Sequence, residues 1–347
     1  MVVLDIIPII GFVQGLFFCL ILLTLNKGLR EANGVLALLI LSITLTIANP
    51  ITRPLDHILV FAMLLFGPLF LLYTYFLTKP DYRIDFRTTG HFLPFIGVMM
   101  LVLINETTDG RVIGNDVVRA FHYMKNLHAL GYSIAILLYL RKYRRSLKSR
   151  YSNIERLSMS WISAILFLFI LYFAVISPIV GILVLTGYGW VIELESSWTP
   201  MLISIYIFFL GYNGLRHHQV FITSPLRRSV PGDTYSESQA ARLSQVMEDQ
   251  KPYLSDNLTL DSLSEVTRIP SHVLSRIINK KYEMNFFDYI NSHRINHFNT
   301  LFLNEQNTGR TVLDMALESG FYSKSTFNLS YKKYMGMTPT QYRSSQV

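Results

Sequence analysis

The chain of 347 residues is poor in cysteine and in charge. Cys19 is the only cysteine and lies inside an apolar run, so no disulfide framework, cysteine-rich metal site or catalytic thiol is expected. Charged residues make up 16% of the chain and hydrophobic residues 51%. This balance lies outside the usual range of soluble proteins and is typical of proteins that cross a membrane several times.

Motifs that carry catalysis are also missing from the apolar part of the sequence. Residues 1–215 contain no metal-ligand cluster, no paired nucleophile and base, and no glycine-rich loop that could cradle a phosphate. We therefore expect neither an enzyme nor a bound cofactor or metal ion.

Seven apolar runs in residues 1–215 are candidates for membrane-spanning helices. A bilayer core requires about 20 mainly apolar helical residues. The runs cover residues 6–25, 33–51, 58–77, 91–104, 117–140, 159–186 and 198–215. The fourth run is short and contains Pro94, whereas the sixth is long and contains Pro178, so the sixth is expected to be tilted or kinked. The sequence predicts a polytopic seven-helix transmembrane bundle.

Basic residues are distributed unevenly among the segments that join these runs. With seven crossings, segments 26–32, 78–90, 141–158 and 216–228 fall on one side of the membrane and carry 15 Lys and Arg, against three on the other side. Loops rich in Lys and Arg stay in the cytoplasm. We therefore expect the N-terminus outside and the C-terminal domain in the cytoplasm, as a multi-pass protein of the bacterial inner membrane.

The net charge of +8 invites a nucleic-acid interpretation, but its distribution argues for membrane topology. Residues 1–236 carry an excess of seven basic groups, and residues 237–347 carry an excess of one. Any DNA-binding surface must therefore come from local clusters of basic side chains rather than from the overall charge.

The fifth run contains the densest group of polar residues in the membrane half, which is where signal reception is expected. The group consists of Arg119, His122, Lys125, Asn126 and His128. At about 3.6 residues per turn, Arg119, His122 and Asn126 share a helix face, which would suit an anionic ligand or a histidine-based pH switch. The alternative is that this part of the helix protrudes above the lipid and pairs with acidic residues of the outer loops.

Two further features concern packing and domain boundaries. Gly11 and Gly15 have the spacing of closely packed helices, either within the chain or at a dimer seam.

The apolar pattern ends at a juxtamembrane linker, residues 216–237, which separates the sensor domain of residues 1–215 from a polar domain of residues 238–347. Arg227 and Arg228 in this linker are expected to contact anionic lipid headgroups.

The polar domain contains two similar helix-turn-helix patterns. Residues 261–266 and 271–280 form the first pair of helices, and residues 312–319 and 324–334 form the second. Residues 286–304 are long enough to form one connecting helix. Two such units joined by a helix would place two recognition helices about one DNA turn apart.

Residues 238–343 resemble the AraC/XylS family of bacterial transcription regulators. The stretches that carry the resemblance are LTLDSLSEV, SHVLSRIINKK, FFDYINSHRI and ALESGFYSKSTFNLSYKKYMGMTPTQYR. The resemblance implies an all-α DNA-binding domain in which helices at 271–279 and 324–334 enter successive major grooves. Leu329 and Phe298 depart from the family, many of whose members have a basic and a small residue there.

The family's groove-facing positions can be carried over to this chain. The base contacts they imply are Ser271, His272, Ser275, Arg276, Lys324, Ser325 and Asn328. Arg276 and Lys324 can donate to guanine acceptors, and Asn328 can make a two-bond contact with adenine. The residues expected to contact phosphates are Lys280, Lys281, Lys332 and Lys333.

The two halves together favour a membrane-bound one-component transcription regulator whose partners are double-stranded DNA and membrane lipid. Its transmembrane domain would sense an unknown small molecule or membrane condition, and pairing of two copies into a homodimer would raise the affinity for DNA. The alternative is a transporter or receptor-like membrane protein whose cytoplasmic helical domain binds a protein partner.

Overall fold

A computed structural model describes most of the chain as helix. The described residues are 2–25, 29–47, 60–79, 82–108, 115–155, 157–188, 190–216, 235–304 and 309–346. They contain no strand, only an isolated antiparallel bridge between Tyr151 and Thr259. The all-α prediction is therefore confirmed for this part of the chain. Most of the expected linker, with Arg227 and Arg228, lies outside the described residues.

The chain divides into two compact units. Unit 1 comprises Met1–Leu140 and Ser160–Pro225, and unit 2 comprises Arg141–Met159 and Leu226–Val347. Unit 2 thus contains the polar domain together with a segment that the sequence places between the fifth and sixth apolar runs.

Unit 1 is built from helices. They are α1 (Val2–Thr24), α2 (Arg30–Leu45), α3 (Phe66–Thr78, preceded by a 3-10 helix at Val60–Leu65), α4 (Phe86–Gly90), α5 (Leu93–Thr107), most of α6 (Asn115–Lys148), α7 (Ser160–Leu171), α8 (Ser177–Leu185) and α9 (Trp190–Arg216). A π-helical turn at Tyr172–Ile176 joins α7 to α8 just before Pro178. Because proline cannot donate a backbone hydrogen bond, this irregularity lies where the sixth run was expected to be kinked.

Four helical segments in the described ranges are long and apolar enough to cross a membrane, not the seven expected. They are Ile6–Thr24, Phe61–Thr78, Phe86–Asn105 and Ser160–Val180. The other three expected runs are helical over most of their described residues, but α2 has only 16 residues. Charged side chains in α6 and polar side chains in α9 dilute the apolar character of those helices. The fourth run is longer than its sequence suggested, because its helical segment begins at Phe86.

Gly11 and Gly15 are both used for packing within the chain. A Cβ atom on Gly15 would lie 2.0 Å from Thr44 Oγ1 of α2, and one on Gly11 would lie 2.0 Å from Ser204 Oγ of α9. The two glycines therefore allow α1 to approach α2 and α9 closely. Of the two interpretations of this spacing, the structure supports intramolecular packing.

The described residues of unit 2 contain seven further α-helices. They are α10 (Glu237–Asp249), α11 (Leu260–Thr267), α12 (Ser271–Lys281), α13 (Phe286–Leu303), α14 (Val312–Glu318), α15 (Lys324–Met335) and α16 (Pro339–Gln346). Several of them begin at a polar side chain that accepts a hydrogen bond from the first turn, as helix N-caps commonly do. These residues are Ser236, Thr259, Asn285, Thr311 and Ser323.

Helix α13 connects two hydrophobic cores. Its first half places Phe286, Tyr289 and Ile290 in a core shared with α10, α11 and α12. Its second half places Phe298 and Phe302 in a core shared with α14 and α15. The predicted connecting helix is therefore present, and it holds the two helix-turn-helix units together.

Gly320 forms the turn of the second helix-turn-helix unit and provides a test of this packing. Its φ of +90° lies in the left-handed region, and a Cβ atom would lie 2.4 Å from the Tyr253 carbonyl oxygen. Gly336 has a φ of +72° with open space around it. We expect Gly320→Ala to incur left-handed strain of about 1 to 2 kcal/mol plus a steric overlap, and Gly336→Ala to incur the strain alone.

Hydrogen exchange of the backbone amides of α14 and α15 measures this difference. Gly320→Ala should accelerate exchange in both helices more than Gly336→Ala does. Gly309→Ala is the matched control, because Gly309 has neither a positive φ nor an atom within 4 Å of its Cβ position. Equal exchange in all three variants would contradict the close approach at the turn.

Candidate nucleic-acid interface

The first helix-turn-helix unit consists of α11 and α12. Thr259 and Ser262 form a capping box at the start of α11, and Arg268 takes a left-handed conformation that ends this helix. Helix α12 follows after Pro270 and buries Val273, Leu274, Ile277 and Ile278 against the first core. The opposite face of α12 is thereby left available to a partner.

The four residues of α12 that are expected to contact bases lie on this opposite face. His272 is exposed, and Ser271, Ser275 and Arg276 are half-buried. Ser271 Oγ donates to Asp261 Oδ1 at 2.6 Å, and Asn279 Nδ2 donates to Ser275 Oγ at 3.2 Å. The Nη1 atom of Arg276 is buried without a hydrogen-bond partner among the described residues.

The second unit consists of α14 and α15. Ser323 caps α15 by accepting a hydrogen bond from the Thr326 backbone N–H. Phe327 and Tyr331 are buried in the second core. The residues left exposed on α15 include the three expected base contacts, Lys324, Ser325 and Asn328, together with Leu329 and Lys332. The structure therefore brings the expected base-contact residues of this unit to the outer side of its recognition helix.

Phe298 departs from the family by its size, and it lies at the centre of the second core. Its side chain is fully buried. The ring lies 4.6 Å from that of Phe327 and 5.6 Å from that of Tyr331, measured between centroids. Such aromatic pairs stabilise a core beyond the area they bury. Phe298 thus fixes α15 on the connecting helix.

Of the four lysines expected to contact phosphates, two contact a carboxylate and two are described only as exposed. Lys281 forms an ion pair with Glu237, and Lys333 Nζ lies 2.6 Å from Asp288 Oδ2. The hydrogen bond to Glu237 raises the pKa of Lys281. Lys280 and Lys332 are exposed. A DNA phosphate would therefore compete with a carboxylate for Lys281 and for Lys333.

Arg294 is a buried residue that sequence reasoning did not single out. It is 1% exposed, although it carries a guanidinium group. Nε donates to the Tyr253 carbonyl at 2.7 Å, and Nη2 donates to the Ser255 carbonyl at 2.6 Å and to Ser152 Oγ at 3.1 Å. Nη1 donates to the Ser152 carbonyl at 3.3 Å and to Asn291 Oδ1 at 3.1 Å. Burial lowers the pKa of Arg294 to about 10, so the group stays charged at neutral pH.

A sequence signal for Arg294 existed. In α13, residues 287, 290, 294 and 298 follow one another at helical spacing, and the other three are apolar. A charged residue on an apolar stripe requires buried partners. The identity of those partners could not be read from the sequence, because Ser152 lies 142 positions away from Arg294.

The residues expected to sense a signal lie on α6. Lys125, Asn126 and His128 are half-buried, whereas the side chains of Arg119 and His122 lie outside the described part of the structure. The His128 ring centroid lies 4.8 Å from that of Tyr132. The Tyr132 hydroxyl lies 2.6 Å from His91 Nδ1. His91 and Tyr132 are thus neighbours of the expected sensor group that the sequence did not indicate.

Both nitrogens of His128 are buried and lack a hydrogen-bond partner among the described residues. Buried polar groups are normally satisfied by protein or by water. This imidazole therefore has the capacity to bind a further donor or acceptor.

Comparison with known proteins identifies the C-terminal domain. Residues 263–345 match the family model of a helix-turn-helix domain. The melibiose operon regulatory protein of Escherichia coli (strain K12) is 34% identical over 86 residues, which are 25% of this chain and 28% of that protein. An uncharacterized HTH-type transcriptional regulator of Staphylococcus aureus (strain COL) is 28% identical over 117 residues, 33% of this chain and 15% of that protein. No solved structure matches.

These findings support the expected domain type for the C-terminal part of the chain. The domain is a helix-turn-helix domain of the AraC type, and the similar proteins are transcription regulators. The chain spans less than a third of the length of either relative.

Proposed function

We propose that this protein is a membrane-bound one-component transcription regulator that binds promoter DNA through its C-terminal domain. The observation that carries the proposal is the pair of helix-turn-helix units on α13, each with a recognition helix whose polar face is turned away from its core. Recognition helices of such units enter the major groove, and exposed polar side chains read the base edges there.

The membrane part of the proposal is a seven-span sensor domain in the bacterial inner membrane, with the N-terminus outside. Four segments of suitable length and composition support it. The charge bias of the loops favours residues 141–158 and the C-terminal domain lying on the same side. The membership of Arg141–Met159 in unit 2 agrees with this placement, because residues that pack together must lie on one side of a membrane.

The sensor would be the group around Lys125, Asn126 and His128 on α6. Its signal is an anion or a proton, since these groups carry or accept positive charge and His128 has unfilled hydrogen-bonding capacity. Two copies of the chain would pair to bring four recognition helices to one promoter, which multiplies modest affinities.

The topology can be tested by labelling single cysteines in intact cells with a membrane-impermeant maleimide. Thr108→Cys should be labelled, because it follows α5 on the proposed outer side, whereas Ser149→Cys should be labelled only after the cells are opened. Cys19 is buried and gives little background. Labelling of Ser149→Cys in intact cells would contradict a cytoplasmic C-terminal domain.

DNA binding can be tested with the full chain in lipid nanodiscs and labelled promoter fragments. Arg276→Ala should weaken binding to a specific site by about 1 to 3 kcal/mol and relax the sequence preference at one position, because Arg276 is expected to contact a base. Lys332→Ala should weaken binding to all sequences alike and lower the salt slope by about one, because Lys332 is expected to contact a phosphate.

The control for these variants is Glu248→Gln, an exposed position on α10, which is not one of the recognition helices. If the chain bound no duplex at 50 mM salt, where phosphate contacts are strong, DNA binding would be refuted. A receptor whose cytoplasmic domain binds a protein would then be the better interpretation.

The sensor can be tested with a transcriptional reporter in cells grown at different external pH values or with added anions. His128→Phe keeps an aromatic ring beside Tyr132 but removes both ring nitrogens. We expect it to abolish the response while leaving protein levels normal. The control is Leu127→Phe, because Leu127 is an exposed neighbour on the same helix. An unchanged response in His128→Phe would exclude this residue as a sensor.

A further inference from the structure

A short segment after α6 is paired with the first helix-turn-helix unit. Tyr151 and Thr259 form an antiparallel bridge. The Leu260 N–H donates to the Arg150 carbonyl at 2.8 Å, and the Ser152 N–H donates to the Leu258 carbonyl at 3.1 Å. The segment therefore extends along the residues that lead into α11.

The same segment is hydrogen-bonded to Arg294. Ser152 is fully buried, and both its carbonyl oxygen and its hydroxyl accept hydrogen bonds from the guanidinium group. Hydrogen bonds to a charged donor are about twice as strong as neutral ones. Ser152 is thus fixed on the connecting helix α13.

Three residues further on, Glu155 reaches the start of the second recognition helix. Its Oε2 atom accepts a hydrogen bond from Ser323 Oγ at 2.5 Å and another from Thr326 Oγ1 at 3.2 Å. Ser323 is the N-cap of α15, and Lys324 and Ser325 follow it directly. The carboxylate therefore lies in the first turn of this helix, beside two of the expected base contacts.

The start of a helix is a favourable place for a negative charge, because the helix dipole and the unpaired N–H groups point there. In DNA complexes of helix-turn-helix proteins, this end of the recognition helix contacts bases in the major groove and lies near the phosphates. Glu155 occupies that end with a negative charge, and like charges repel. The carboxylate and a DNA backbone cannot both take this position at low energy.

We propose that residues 150–155 form an autoinhibitory latch, in which Glu155 takes the place of a DNA phosphate at the N-terminus of α15. The proposal rests on the proposed function, because it assumes that α15 binds DNA. Release of the latch uncovers the first turn of α15 and removes a negative charge from the DNA-binding surface. Both events favour binding.

The position of the latch in the chain connects it to the membrane helices. Residues 149–159 join the end of α6 to the start of α7. A change in the distance between these two helices, or a rotation of either one, displaces the ends of the segment. The latch is therefore a route by which the membrane domain controls the second recognition helix.

The first test compares Glu155→Gln with the unmodified chain in nanodiscs. Binding to a labelled mixed-sequence duplex of roughly four helical turns, about 40 base pairs, is measured by fluorescence anisotropy at several salt concentrations. We expect Glu155→Gln to bind the duplex about tenfold more tightly. This gain corresponds to the loss of one charge-assisted hydrogen bond that stabilises the closed latch. Glu248→Gln changes the net charge equally at an exposed site on α10 and should leave the affinity nearly unchanged.

The second test locks the latch with a disulfide bond. Tyr151 and Thr259 are a non-hydrogen-bonded antiparallel pair, in which the Cα atoms lie about 4.5 Å apart, and disulfides require about 4.4 to 6.8 Å. The variant carries Tyr151→Cys and Thr259→Cys, with Cys19→Ser to remove the native thiol. We expect the oxidised form to bind the duplex more weakly than its own reduced form, and Glu155→Gln to restore much of the binding in the oxidised form.

These outcomes separate the latch from the proposed function. Salt-sensitive binding by the unmodified chain, with no gain in Glu155→Gln and no loss on oxidation, would overturn the latch and leave the regulator in place. An equal gain in Glu248→Gln would also overturn it, because the effect would then come from net charge. Absence of binding by every variant at 50 mM salt would refute DNA binding, and the latch with it.

Discussion

The buried guanidinium of Arg294 is the interaction on which the rest of unit 2 depends. A charged group in a protein interior is stable only when its hydrogen bonds are satisfied. Arg294 meets this requirement with oxygen atoms from three stretches of chain, namely residues 152, 253–255 and its own helix α13. Removing any one stretch would leave donors without acceptors. This one side chain therefore ties the segment after α6 to the helix that connects the two DNA-binding units.

The helices of unit 2 and the outward faces of α12 and α15 could be predicted from the sequence because they are local properties. Apolar residues at helical spacing, such as Phe327 and Tyr331, determine which side is buried. The contacts of Arg294 and Glu155 could not be predicted in this way. Ser323 and Glu155 are 168 positions apart, and nothing near either residue in sequence indicates the other.

The number of membrane-length helices in unit 1 was less predictable for a different physical reason. Length and mean apolarity identify helices such as α1, but polar residues in a helix that is packed among other helices lower its apparent apolarity without preventing burial. Thr44 and Asn213 are examples, since both are buried inside unit 1. Helices α2 and α9 therefore fail a test for membrane spans that uses only length and composition. Helix α1 passes that test, although it packs closely on both of them.

Helix α6 contains the expected sensor residues and ends just before the segment of the proposed latch. Its 34 residues extend over about 51 Å at 1.5 Å per residue, whereas a bilayer core is about 30 Å thick. The boundary between the two units falls inside this helix, between Leu140 and Arg141, without a break in its hydrogen bonding. If the proposed signal rotates or tilts α6 near His128, the residues just before the proposed latch belong to the same helix.

The energetics of an intramolecular latch also explain what it would control. A segment held by short connections competes with DNA at an effective concentration in the millimolar range. Non-specific DNA is bound with dissociation constants of about 10⁻⁴ to 10⁻⁶ M, whereas specific sites reach about 10⁻⁸ to 10⁻¹¹ M. A latch that is closed most of the time weakens binding to both kinds of DNA by the same factor, so weakly bound non-specific DNA is released first and a promoter with good base contacts still opens the latch. If the proposed membrane location holds, such a latch would suppress unproductive binding to nearby chromosomal DNA, and the proposed signal would shift the affinity threshold for the correct promoter.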